Sequence, residues 1–263
     1  MISVLFLPFL ACIALVVVHV YFGSLVLRRG VVFIDLALAQ WAALGYLIGV
    51  WMDIHSPLIL FLIGFGFTVI ASLILSVLKP LYKTINLQEA VIGAVYIAAT
   101  TIAVALISST GMEGHHLKAM LSGHLLFVQK TELILAYILY AVIIVLLLCF
   151  HQSVLNKRSI KWDFIFYVLF GVVVTSSVKM VGILLVFSYL VLPVLSTILF
   201  TNKLKKQVKW GWVVGLLASI LGLLLSIKLD IPPTYCIILG LSCIWCISVG
   251  FKFVINFRDR LMR

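Results

Sequence analysis

Fifteen of the nineteen Lys and Arg residues fall in five places, Arg28–Arg29, Lys79–Lys83, Lys157–Lys161, Lys203–Lys209 and Lys252–Arg263, and nearly everything between them is apolar. Cations beside membrane spans stay on the cytoplasmic side, so their spacing constrains class and topology together. It predicts a polytopic protein of the bacterial inner membrane with little outside the bilayer. A soluble globule carries about 25% charged residues; this chain carries 10%, is 65% apolar and has a mean hydropathy of +1.30. The net charge of +11 follows from the cytoplasmic cations. It implies contact with anionic membrane lipid and no nucleic acid.

A helix needs roughly 20 apolar residues to cross a bilayer. On that measure the first span runs from about Ser3 to Leu27 and is retained, not cleaved as a signal. The second rises from Phe33 to Trp51, reaching an outer turn at Asp53–Pro57. The third descends to Lys79-Pro80 and the fourth climbs from Glu89 to Ile107. A polar stretch from Ser108 to Glu132 is the longest outer loop. A fifth span descends to Phe150, landing in the basic segment His151 to Lys161. Residues 162–200 hold 39 nearly all apolar positions, too many for one helix, and predict two short helices turning near Lys179–Gly182. Two further spans flank a turn at Lys228–Pro233. The result is an all-helical bundle of about nine spans in one domain, residues 1–263, with its N-terminus outside and its C-terminus cytoplasmic. Gly211, Gly215 and Ser219 recur every four residues, which predicts a face for close helix packing. Cys243-Ile-Trp-Cys246 sits inside an apolar run without a second pair and reads as buried helix surface.

Polar groups in hydrocarbon are costly, which makes each one a functional candidate. Asp35 lies two residues into the second span, and either pairs with a cation at the cytoplasmic edge or serves a passage. Counting a continuous helix from Arg29 puts Asp35 about 9 Å and Gln40 about 16 Å into the membrane. The two are five residues apart, diverge by about 140°, and do not share one small site unaided. His19 reads as a hydrogen-bonded core histidine. Ser176, Ser177 and Lys179 gather at the turn of the long apolar segment, where unpaired backbone must be enclosed by protein or a wet cavity; they are candidates for a pathway wall. In the outer loop Glu113, His116 and His124 are oxygen and imidazole donors suited to zinc or manganese, and equally fit a solvated loop.

No Gly-Lys dipeptide occurs, so no phosphate-binding loop does either. His-Glu-x-x-His and Gly-x-Ser-x-Gly are also absent, and eight carboxylates scattered along the chain make no catalytic cluster. A transport subunit fits better than a membrane enzyme acting on lipid. A stand-alone transporter driven by an ion gradient stays open, with Asp35 as its one intramembrane carboxylate.

Three stretches carry a resemblance. The first is His19-Val-Tyr-Phe-Gly23 leading into Arg28-Arg29-Gly30 and Leu36–Gly45. The second is Glu89-Ala-Val-Ile-Gly93 with Tyr96, Gly114, Leu121 and Gly123. The third, and most specific, runs from Trp162-Asp163 through Gly171 to Ser177, then from Val181-Gly182 to Leu190 and Pro193. Together they resemble the membrane permease subunits of bacterial ABC importers for zinc, manganese and iron. The resemblance implies a paired, typically homodimeric permease that moves a divalent metal ion. It also implies a cytoplasmic ATP-binding subunit that hydrolyses ATP, and an external metal-binding protein. It makes the segment with His151, Asn156, Lys157 and Arg158 the candidate coupling element to the ATPase. Many such permeases carry Asp-Ala-Leu-Ser-His in the second span, whose Asp and His bind the passing metal. Aligned without gaps, those two positions are Leu36 and Gln40, so this chain resembles a branch with Ala37-Leu-Ala-Gln40 instead.

Overall fold

The structure, a computed structural model, describes residues 2–83, 87–110, 125–150 and 159–261. Among the described residues there are nine α-helices and one 3-10 turn: α1 (Ile2–Arg29), α2 (Ile34–Trp51), α3 (Pro57–Lys83), α4 (Gln88–Thr110), the turn Leu125–Phe127, α5 (Lys130–Cys149), α6 (Ile160–Val181), α7 (Ile183–Ile198), α8 (Leu204–Leu229) and α9 (Pro233–Leu261). Eight of the helices are long and apolar enough to cross a membrane. The exception is α7, whose 16 residues span about 24 Å against a hydrocarbon core of about 30 Å. The long apolar segment is therefore one full-length helix and one short one, not two short ones. The break falls where expected, at Gly182, whose φ of 81° belongs to the left-handed region that glycine occupies without penalty.

The other turns follow from local chemistry. Gly30, at φ 68°, stops α1 directly after its two arginines. At the far end of α2, Asp53 adopts φ 61° while the Ile54 N–H donates to the Gly49 carbonyl over 3.1 Å, and Pro57 then starts α3. The α8–α9 turn repeats the device: Asp230 at φ 55°, the Ile231 N–H on the Ser226 carbonyl at 3.3 Å, and Pro233 opening α9. A left-handed residue closes each helix, and proline suits the first helical position, where its missing N–H costs nothing.

The described residues form two compact units. One contains residues 1–27, 124–133 and 184–263. Its predicted small-residue face is realised: a Cβ on Gly211 would fall 2.6 Å from Val20 and one on Gly215 2.7 Å from Val16, so α8 lies directly against α1. The Trp212 indole N–H donates to the Val17 carbonyl at 3.1 Å across the same contact. His19 is buried, as expected, with Nδ1 2.9 Å from the Leu15 carbonyl. The Phe200 and Phe251 rings, 6.2 Å apart, bring the basic α7–α8 loop to the same end of this unit as Lys252.

The other unit contains residues 28–123 and 134–183. Here α2 packs on α3, α4 and α6. A Cβ on Gly45 would lie 2.9 Å from the Gly64 Cα, so the backbones of α2 and α3 nearly touch. On another face of α2, Leu44 and Leu47 pack with Ala99 and Ala103 of α4, and the Trp41 indole donates to the Val95 carbonyl at 3.0 Å.

Candidate functional site

Each polar group of the second unit sits where its helix register puts it. Asp35 occupies the first turn of α2 and is fully buried. Neither of its carboxylate oxygens has a hydrogen-bond partner among the described residues. Asp35 and Ala42 are seven residues apart, nearly two full turns, and share a face; Ala42 lies against Gly64 of α3. Gln40, 8% exposed, shares its face with Leu44 and Leu47, toward α4. The divergence expected from spacing is therefore kept, with the two side chains addressing different neighbours.

The expected depths are corrected. They assumed helix from Arg29 onward, but Gly30 breaks it and α2 begins only at Ile34. Asp35 thus lies at the mouth of α2. Gln40 lies about 9 Å along a helix of about 27 Å, not near its centre. The cation expected as Asp35's alternative partner is engaged elsewhere. Arg29 Nη1 donates to Asp163 Oδ1 at 2.7 Å, and Lys79 Nζ to Asp163 Oδ2 at 2.6 Å. The Arg29 guanidinium also rests 4.1 Å from the centre of the Phe166 ring. This triad was not anticipated. Its signal in the sequence was an acidic residue at the edge of a span, flanked in topology by two basic span ends.

The triad joins the end of α1, the end of α3 and the start of α6. Glu89, at the start of α4, accepts the Val32 N–H at 2.6 Å. The Phe150 and Trp162 rings, 5.6 Å apart, bring the end of α5 to the start of α6. All these termini, and the basic residues beside them, gather at one end of the unit.

Between α3 and α6 runs a hydroxyl seam of Thr68, Ser72, Ser76 and Thr175, all buried. Thr68 donates to the Gly64 carbonyl at 2.9 Å and Thr175 to the Gly171 carbonyl at 2.7 Å, while their hydroxyl oxygens lie 3.0 Å apart. Each hydroxyl has one proton, so two protons serve three contacts. The bond between the helices forms only when one threonine releases its own carbonyl.

At the opposite end of α6 from Asp163, Ser177 is buried and its Oγ lies 2.8 Å from the Tyr140 hydroxyl; Ser176 donates to the same hydroxyl at 3.2 Å. Lys179, two residues further along α6 than Ser177, is exposed. The two serines share a tyrosine of α5 that spacing did not single out. Glu113, His116 and His124, and also His151, Asn156, Lys157 and Arg158, lie outside the described residues. Among the described residues, no three His, Cys, Asp or Glu side chains gather where they could hold a metal ion.

This arrangement matches known proteins. The model of the ABC 3 transport family covers residues 1–252. A "High-affinity zinc uptake system membrane protein ZnuB" of Haemophilus influenzae is 26% identical over 99% of this chain and 100% of its own length. A "Probable metal transport system membrane protein" of Chlamydia muridarum is 26% identical over 59% of this chain, and the match spans 58% of that protein's length. Among solved structures, "PsaBC from Streptococcus pneumoniae in complex with Fab" superposes with a TM-score of 0.75 at 20% identity, covering 93% of this chain and 90% of that one; at this identity it speaks to the fold.

Proposed function

This chain belongs to the ABC 3 transport family, and on that premise we propose that it is the membrane permease of an ATP-driven importer of a divalent metal ion, zinc or manganese first. The match over residues 1–252 carries the reading. The end-to-end similarity to a protein named for zinc uptake supports the metal class. Energy comes from a separate cytoplasmic ATP-binding subunit, in keeping with the missing phosphate-binding loop, and metal arrives from an external binding protein. The permease works as one domain in a homodimer. Its basic ends face the cytoplasm, so the N-terminus is outside and the C-terminus inside.

The metal is cargo here, and the path runs along α2. Asp35 is the one buried carboxylate in the second unit whose charge nothing in the described chain offsets. An incoming cation supplies that offset, which gives the ion a reason to dwell beside α2. Gln40 adds a neutral oxygen, a weak ligand for a transition metal, and a conducted ion must also leave. Ser176, Ser177 and Lys179 stand at the outer break as the path's far wall. Glu113, His116 and His124 receive the metal on the outer side. His151, Asn156, Lys157 and Arg158 transmit the ATPase stroke into α6, whose first turn carries Asp163 and its two cations.

The deciding experiment is uptake in cells lacking this chain, paired with affinity purification of the tagged protein. Reduced accumulation of zinc or manganese and recovery of an ATPase subunit are expected. Unchanged accumulation of zinc, manganese and iron would reject the cargo class. Purification without any ATPase would favour the gradient-driven reading, for which Asp35 is the coupling carboxylate.

A further inference from the structure

The α7–α8 loop borders an open cleft of about 390 Å³, lined by Ser196, Thr197, Phe200, Thr201, Lys206 and Trp210 among others. Its chemistry divides into a cationic, hydroxylated floor and an aromatic wall. Phe200 and Trp210 are about half exposed and flank the basic loop, at the level where aromatic side chains meet lipid headgroups. No Asp or Glu occurs between Asp163 and Asp230, while Lys203, Lys205, Lys206 and Lys209 crowd the same loop. The charge is therefore uncompensated by neighbours in sequence.

The floor is built, not loose. Gln207 is buried and its side-chain amide donates to the Thr201 carbonyl at 2.7 Å, which pins the loop to α8. The Thr201 hydroxyl oxygen accepts the Lys203 N–H at 3.3 Å, leaving its proton available to an acceptor in the cleft. Ser196 and Thr197, by contrast, give theirs to the carbonyls of Leu192 and Val194, both at 2.9 Å. One ammonium and one free hydroxyl proton beside two exposed rings suit a phosphate that carries hydrocarbon.

We propose that this cleft binds an anionic phospholipid, with Lys206 and the Thr201 hydroxyl on the headgroup phosphate and Phe200 and Trp210 along the upper acyl chains. This site lies outside the metal path and stands without the metal assignment. It turns the general attraction of a basic surface for anionic lipid into one defined position.

The test is native mass spectrometry of the full chain in mild detergent, titrated with phosphatidylglycerol or phosphatidylcholine. Phosphatidylglycerol should be retained in preference. Lys206→Gln should lower its retention about fivefold, the weight of one lysine at an anionic surface, and Trp210→Ala should lower it too. Lys205→Gln, on the same loop but off the cleft, should stay within about twofold of the parent. Equal losses from Lys205→Gln and Lys206→Gln would mean diffuse charge and overturn the site. So would equal retention of the two lipids, or release of bound lipid by inorganic phosphate, which lacks chains for the aromatic wall. Lys206→Gln that kept its lipid at the parental level would likewise overturn it.

Discussion

Asp35 and Asp163 are both buried, both belong to the unit formed by residues 28–123 and 134–183, and both sit in the first turn of a helix, where the helix dipole favours a carboxylate. They differ in company. Asp163 holds two cations from two other helices, whereas Asp35 has no hydrogen-bond partner among the described residues. The first knits three chain segments and has its charge matched by two cations. The second takes a desolvation cost with no hydrogen-bond partner among the described residues to offset it, which is the signature expected of a group kept for something that comes and goes.

The comparison is tested hardest at Asp163. Asp163→Ala leaves Arg29 and Lys79, with side chains only 8% and 12% exposed, without their carboxylate. Removing one member of a buried ionic set costs about 3–5 kcal/mol, so the variant should lose most of its membrane abundance and melt well below the parent. A parent-like melting temperature in detergent would show the triad to be dispensable. Asp35→Asn should do the reverse. With no partner to abandon, the isosteric amide should fold to parental abundance or better. Metal uptake per molecule should fall at least about tenfold, the effect of about 1.4 kcal/mol on a rate. Abundance and uptake falling in step would place Asp35 with Asp163 as a structural residue and dissolve the contrast.

That contrast shows which parts of the molecule were legible beforehand. Basic clusters reveal which helix ends belong together because membrane topology forces them there, and Arg29, Lys79 and Asp163 do meet at one end. Gly182 could be read as a break because 39 apolar residues exceed one crossing and glycine tolerates the needed φ. The partnership itself was hidden: Arg29 and Asp163 are 134 residues apart, and pairing them requires the rotation of each helix, which composition does not carry. The depth of Asp35 was misjudged for a local reason, since the count passed through Gly30 as though it were helical. Tyr140 escaped notice because a lone tyrosine in an apolar run looks like any other core aromatic until its hydroxyl finds Ser177.

Smaller effects sharpen the same distinction within α2 and along the seam. Gln40→Ala removes an amide whose hydrogen bonding inside a membrane is worth about 1 kcal/mol. Uptake should slow by up to about fivefold while abundance stays near the parent; equal losses in both would make Gln40 a packing residue on the α4 side. The least effect belongs to Thr175→Val. Because two hydroxyl protons serve three contacts, deleting one hydroxyl removes one proton and the weakest shared bond, while Thr68 keeps its own to the Gly64 carbonyl. Membrane hydrogen bonds average about 0.6 kcal/mol, so the melting temperature should move by no more than about 2 °C, and Thr68→Val should match it. The double variant should then cost about the sum of the two. A loss clearly smaller than the sum would mean that each single variant already forfeits a bond permanently made between the threonines, and the seam would join Asp163 among the fixed joints of the unit instead of being free to exchange partners.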